Sequence, residues 1–360
     1  MTPEDQANAG FGVAFDWDVD LTSGYEFRFL SNVSRTPGPS HFFGCDTPEI
    51  GEKLRHGRFD ALLVMGWHLK TYWQAIWAAK RAGMPILVRG DSQLGTPRGT
   101  AKRVAKKILY PRVLRVFDAA LYVGERSRAY WKHYGYPRDR LFFSPHCVDT
   151  KWFAARADLG NRRAVRHRLG IAADAKVALF AGKLLAFKRP LDLVAAVASL
   201  NTRGYVVSIL VAGSGPLEPE LATAAAASGV SLQRLGFCNQ SEMPAAYAAA
   251  DVLVLPSSGR ETWGLVVNEA QACGVPTIVS DACGCAPDLA EDGAAGCIFP
   301  FGDTEALSNA LRRMLDDPPP RRSILAKSER YSVATAADGI EEGVAFATQE
   351  TTRGNFGHAC

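Results

Sequence analysis

Nowhere in this chain do apolar residues run for the 18 or more positions that a membrane-spanning helix needs. Val194–Leu200 and Ala222–Ala227 are short runs with polar flanks, so no helical span is expected. An apolar leader is missing as well: Met1–Gly10 is polar and acidic, which reads against secretion. Net charge is small. Forty-one basic and 37 acidic residues leave +4, too balanced for a nucleic-acid binder. Cysteines at zinc spacing are also lacking. The eight present (Cys45, Cys147, Cys238, Cys273, Cys283, Cys285, Cys297 and Cys360) form no CxxC pair, and Cys283-x-Cys285 is too tight. They read as buried free thiols of a reducing cytoplasm. There is no internal repeat and no low-complexity segment.

What is present is enough chain for two domains, with 47% apolar and 22% charged residues, as in soluble globular proteins. In the C-terminal half short apolar runs alternate with helical spacing. Strands are expected at Lys176–Leu185, Val206–Ala212, Val230–Leu235, Asp251–Leu255, Val275–Ser280 and Cys297–Phe299. Helices are expected at Pro190–Leu200, Leu217–Ser228, Ser241–Ala250, Gly264–Gly274 and Thr304–Leu315. This is the signature of βαβ units and a parallel sheet covered on both faces. The N-terminal half alternates less regularly. Strands are expected at Phe59–Gly66, Pro85–Arg89, Ala119–Gly124 and Leu141–Ser144, and one more at Tyr25–Leu30; helices at Lys70–Ala82, Gly99–Tyr110 and Arg126–Tyr134. Asp158–Arg168, charged and irregular, reads as a linker. The tail from Tyr331 reads as a helix over Ala334–Ala347 with a disordered end. The expected division is 1–165, 166–330 and 331–360: two Rossmann-like, doubly wound α/β domains and a tail. Sheets of this kind bind ligands outside the carboxyl ends of their strands, so two facing each other would make a cleft.

Two stretches carry chemistry. The first is Arg260-Glu261-Thr262-Trp263-Gly264-Leu265-Val266-Val267-Asn268-Glu269-Ala270, just past a strand. Glu261 falls in the loop and Glu269 inside the following helix. The first N–H groups of that helix, at Gly264, Leu265 and Val266, lack intrahelical acceptors and favour a phosphate anion. The second is Gly182-Lys183-Leu184-Leu185-Ala186-Phe187-Lys188, two cations leaving one strand, which suits a diphosphate leaving group.

Together these stretches resemble the retaining family 4 glycosyltransferases of GT-B fold. Lys183 and Lys188, Gly213-Ser214-Gly215-Pro216, Leu235-Gly236-Phe237 and Ala249-Ala250-Asp251 occur in that family's order. The Glu-x7-Glu box then runs into Ala270-Gln271-Ala272-Cys273-Gly274-Val275-Pro276, and Gly284-Cys285-Ala286-Pro287 follows. Ser144-Pro145-His146-Cys147-Val148-Asp149 is similar to the family's segment before the interdomain linker. The resemblance implies that Lys183 and Lys188 grip the donor diphosphate beside Gly182 and the amides of Gly264–Val266. It implies that Glu269 takes the ribose hydroxyls, that Glu261 holds hydroxyls of the transferred sugar, and that Gly236–Phe237 border the base. The implied donor is a UDP-, GDP- or ADP-sugar and the acceptor a glycan or a lipid-linked sugar, with retained configuration and neither metal nor cofactor.

The N-terminal half is expected to hold the acceptor, with His68 after one strand and Arg89 and Asp91 after the next. Family members often place a histidine near Arg89 and Asp91, and this chain does not. The family's opening strand and glycine-rich loop are also not legible before Tyr25, so a first βα unit reads as missing. That leaves a second reading, a catalytically degenerate nucleotide-sugar or glycan binder, and a third, an epimerase of the same architecture. Asp16-x-Asp18 reads as a turn rather than a metal motif. Lys102, Arg103, Lys106 and Lys107, with Arg98, Arg112 and Arg115 nearby, make a basic face opposite Ala101, Val104, Ala105 and Ile108. Residues 98–115 could therefore rest on an anionic membrane, as expected of a cytoplasmic protein peripheral to its inner face and acting in polysaccharide biosynthesis.

Overall fold

The computed structural model describes residues 12–96 and 99–356. The expectations placed on Met1–Gly10, Arg98 and Cys360 lie outside the described residues. In chain order the elements begin with α1 (Ile50–His56), β1 (Leu62–Val64), α2 (Lys70–Arg81), β2 (Ile86–Gly90), α3 (Thr100–Val113), β3 (Ala119–Tyr122), α4 (Glu125–His133) and β4 (Leu141–Phe143). Then follow α5 (Thr150–Arg156), α6 (Leu159–Arg168), β5 (Val177–Ala181), α7 (Pro190–Thr202), β6 (Ser208–Ala212), α8 (Glu218–Ala227), β7 (Leu232–Gly236), α9 (Met243–Ala249) and β8 (Val252–Leu255). Last come α10 (Leu265–Ala272), β9 (Thr277–Ser280), α11 (Ala286–Leu289), β10 (Gly296–Phe299), α12 (Thr304–Asp316), α13 (Arg321–Glu329) and α14 (Val333–Phe356). The chain divides into two compact units. The first comprises Thr22–Leu94, 99–145 and 334–356, and the second His146–Val333 with 12–21 and 95–96. The division thus falls earlier than the 165/166 boundary read from composition, and the tail belongs to the first unit.

The first unit is a four-stranded parallel sheet, β1-β2-β3-β4. Strand alternation sends Ile86, Val88 and Ala120 to one face, where they meet Ile76 and Ala79 of α2 and Tyr130 and Trp131 of α4. Leu87, Ala119 and Leu121 go to the other face and meet Ile340, Val344, Phe346 and Ala347 of α14. A Cβ at Gly339 would stand 1.8 Å from the Phe143 carbonyl oxygen, so only glycine lets α14 lie this close to the sheet. That helix runs on to Phe356, past the expected Ala347, so 348–356 are helical rather than disordered. Tyr25–Leu30 is irregular, not a strand: its side chains alternate, but no partner strand lies beside it among the described residues. The first strand among the described residues is β1.

The second unit is a six-stranded parallel sheet ordered β10-β9-β8-β5-β6-β7. Its central strands, β5 and β8, are buried along their whole length, which explains their unbroken apolar runs. The expected linker at Asp158–Arg168 is instead helix α6. The Asp158 carboxylate accepts from the Asn161 N–H at 2.7 Å as its N-cap, and Arg162 and Arg166, one turn apart, both donate to Asp251. Its charges made it read as a linker, yet they are what anchors it. No disulfide joins the cysteines among the described residues; Cys273, Cys283 and Cys285 are buried, whereas Cys45, Cys147, Cys238 and Cys297 are partly exposed.

Candidate active site

The chain lays down β5, β6 and β7 in one direction across the second sheet, then returns to the other side of β5 for β8, β9 and β10. Strand order therefore reverses between β5 and β8, and a crevice opens outside their carboxyl ends. Both charged stretches emerge there. Lys188 Nζ is hydrogen-bonded to Glu261 Oε2, with the two side chains only 14% and 13% exposed. Lys183 lies within electrostatic reach of both. Burial pulls its pKa below the ordinary lysine value, the Lys188 cation pulls the same way, and Glu261 partly offsets them. The Ser258 N–H donates to the Phe187 carbonyl at 2.8 Å, pinning one loop to the other. The Phe187 ring lies under Lys188 and Arg260, at 5.5 and 5.1 Å from its centroid. Arg189, directly after Lys188, is the sole non-glycine residue with positive φ among the described residues, at 57°. Holding this side chain in left-handed backbone costs energy that packing must offset, and such strain clusters where a loop positions functional groups.

The floor of the crevice is a backbone weave. The Gly182 N–H donates to Ala212 O (2.9 Å), Leu184 N–H to Ser214 O (2.9 Å) and Gly213 N–H to Gly236 O (2.7 Å). These bonds join the ends of β5, β6 and β7. A Cβ at Gly213 would lie 2.0 Å from Gly182 O, so the glycine motif there answers a close backbone approach. Helix α10 starts one residue later than expected, at Leu265, with Gly264 as its N-cap at φ 108° and no side-chain cap. The amide end of the helix is left for a ligand. Asn268 fixes that turn from beneath, accepting from Trp263 Nε1 at 2.8 Å and donating to His146 O at 3.1 Å.

Glu269 lies deeper than its place on the helix suggests. It accepts a hydrogen bond from the Tyr247 hydroxyl at 2.5 Å. Burial raises its pKa to about 7, partly offset by that hydroxyl. Because the folded value lies above the ordinary 4.5, the folded chain holds this proton more tightly than the unfolded one. The linked stability is complete below 4.5 and is lost as pH rises through about 7, amounting to roughly 3 kcal/mol. Glu269→Gln is therefore expected to flatten the fall in melting temperature over that window, as thermal unfolding across the pH range would record.

Gly236 and Phe237 lie at the end of β7. The Phe237 ring packs against Phe15, centroids 4.4 Å apart, so part of that aromatic surface is already covered by residues 12–21. Asp16 and Asp18 belong to the same segment. Asp16 O accepts from Asn239 Nδ2 at 2.7 Å, and the Asp18 carboxylate accepts from the Ser241 N–H and hydroxyl. In the first unit, His68 and Asp91 line one cavity of about 310 Å³ together with Trp67, Lys106, Tyr110 and Tyr130. Arg89, expected beside them, is turned away and donates to Ser144 O and to Pro145 O, bracing the end of β4. Sequence reasoning passed over three residues. Arg189 carries the strained turn, and only its place before Pro190 sets it apart. Tyr247, in an alanine-rich run, and Lys106, read as surface, give no sequence signal.

A cavity of about 1180 Å³ lies at the opposite, amino-terminal edge of the second sheet, beside Lys176, Asp251 and Pro276. Its three cations are already engaged, Arg162 with Asp251, Lys176 with Asp316 and Arg321 with Cys273 O.

Known proteins agree with this architecture. Residues 161–330 match the family model for glycosyl transferases group 1. A D-inositol 3-phosphate glycosyltransferase of Corynebacterium aurimucosum is 30% identical over 320 residues, covering 85% of this chain and 74% of the relative. Another so named, from Streptomyces bingchenggensis, is 39% identical over 169 residues; the match takes in 44% of this chain and only 37% of that relative's length. Among solved structures, Anabaena HepE in complex with UDP superposes with a TM-score of 0.68 at 20% identity, covering 83% of this chain and 82% of that one. Two parallel α/β units of this kind are those of the GT-B fold. The chain belongs to the group 1 family of glycosyl transferases.

Proposed function

We propose that the chain transfers a sugar from a nucleoside-diphosphate sugar to a hydroxyl of a glycan or lipid-linked acceptor, with retained configuration and without metal. The observation that carries this reading is the meeting of Lys183, Lys188 and Glu261 beside the uncapped start of α10, where strand order reverses. In the proposed site the diphosphate lies between the two lysines and the amides of Gly264, Leu265 and Val266, against Gly182. Glu269 takes the ribose hydroxyls, Gly236 and Phe237 border the base, and Glu261 holds the sugar. The bond from the anomeric carbon to the diphosphate oxygen breaks, and the acceptor oxygen bonds to that carbon on the same face. The acceptor proton passes to the departing phosphate, so no separate base is required. Charge growing on the phosphate is stabilised by groups already in place. The UDP held by the HepE structure supports UDP as the first donor base to try, with GDP and ADP beside it. His68 and Asp91 are proposed as acceptor contacts. The proposed location is cytoplasmic, peripheral to a membrane, in polysaccharide assembly.

Thermal shift against UDP-, GDP- and ADP-sugars tests the donor. A ligand bound only by the folded chain raises the melting temperature, and a flat response to the whole panel would count against the reading. Glu269→Ala is expected to weaken binding of the responding nucleotide by about 1.5–3 kcal/mol, the range for hydrogen bonds to a charged group. Calorimetric titration of the two proteins gives the comparison, and equal affinity would remove Glu269 from the ribose.

A further inference from the structure

Helix α3 has its apolar stripe on the outside. Ala101, Val104, Ala105 and Ile108 recur at helical spacing, and sequence alone would turn them inward. All four are exposed, Val104 to 53% and Ile108 to 60%, and neighbouring Leu109 to 56%. The opposite face is committed to the fold: Lys106 donates to the Tyr130 hydroxyl at 3.2 Å and lies over the Tyr110 ring at 4.7 Å. Arg103, Lys107, Arg112 and Arg115 are exposed on and beside the same helix. No acidic residue occurs between Asp91 and Asp118. An exposed apolar stripe edged only by cations is the pattern of a helix lying in the headgroup layer of an anionic membrane. A second copy of this chain is a poorer occupant, because the same cations would face each other across the contact.

We propose that the outward face of α3 seats the chain on an anionic bilayer, with Val104, Ile108 and Leu109 entering the apolar boundary and Arg103 and Lys107 meeting the headgroups. The surface deepens the proposed reading, in which the acceptor is lipid-linked, since the same helix walls the cavity of His68 and Asp91 through Lys106 and Tyr110. The test is co-sedimentation of the full chain with vesicles of phosphatidylcholine containing phosphatidylserine, against phosphatidylcholine alone. Binding is expected only with phosphatidylserine and is expected to weaken as salt is raised. Each cation removed in Arg103→Gln and Lys107→Gln should lower the partition coefficient about fivefold. Val104→Ser with Ile108→Ser should lower it at least as much, and both sites are exposed enough to leave the melting temperature unmoved. Equal partition onto both vesicles, or none onto either, overturns the proposal, as does self-association that the serine variant abolishes. Donor affinity measured on the same proteins stays unchanged if only the membrane face is wrong, and is absent if the glycosyltransferase reading itself fails.

Discussion

Replacing Lys188 with alanine is expected to lower turnover by about 10²–10³, the usual loss on removing a preorganised charge that stabilises a developing anion. Lys188 stands at the end of a one-turn 3₁₀ segment, Ala186–Lys188, followed by the strained Arg189 and by Pro190 as the first residue of α7. Its backbone is thus fixed on both sides, and its ammonium is already paired with Glu261 at the crevice. Alanine removes the charge and leaves Glu261 facing Lys183 alone. Binding of the nucleotide should suffer less than turnover, because Lys183 and the α10 amides remain. Steady-state kinetics with the donor identified by thermal shift separates the two effects, and an unaltered turnover number would refute the role. Lys188→Arg restores charge but not a compact ammonium, so only partial recovery is expected.

Asp251→Ala is expected to cost about 3–5 kcal/mol of stability, the range for stripping one partner from a buried ion pair. Arg166 is 3% exposed, and its guanidinium donates to Ala249 O at 2.9 Å, to Ala175 O at 2.9 Å and to Asp251 at 2.9 Å. Asp251 also accepts from Arg162 at 2.6 Å and from the Val177 N–H at 2.8 Å. Removing it leaves a buried cation uncompensated and takes away the carboxylate that joins both arginines of α6 to the Val177 N–H. The side chain is 28% exposed, so solvent moderates the loss toward the lower figure. Urea unfolding curves of the two proteins measure it. Donor affinity in the part that stays folded should be unaltered, because Asp251 stands at the amino end of β8 and the crevice at the carboxyl end.

The second unit was legible because its central strands are apolar runs fully buried in a parallel sheet, and its turns carry glycine where backbones meet, as at Gly213 against Gly182. Helix α6 was not legible. Its composition is that of a loop, and its stability comes from Asp251, far along the chain. Periodicity showed that α3 has two faces but not which one meets the core; Tyr110 and Lys106 fill the inward side because aromatic neighbours receive them. Of the candidate site, the lysines and glutamates were legible as types and spacings. Their meeting was not, since it depends on the reversal of strand order between β5 and β8. The engagement of Glu269 by Tyr247 and the turning of Arg89 toward Ser144 were hidden because each depends on a partner that the fold brings from another element.

Helix α14 is made after the whole second unit, yet it closes the rear of a sheet that is made before it. During synthesis Leu87, Leu121 and Phe142 must wait, uncovered, while the whole of 146–333 is translated. The second unit can mature as soon as it emerges, whereas the first cannot finish until α14 has followed it, an interval in which exposed apolar surface invites aggregation or chaperone capture.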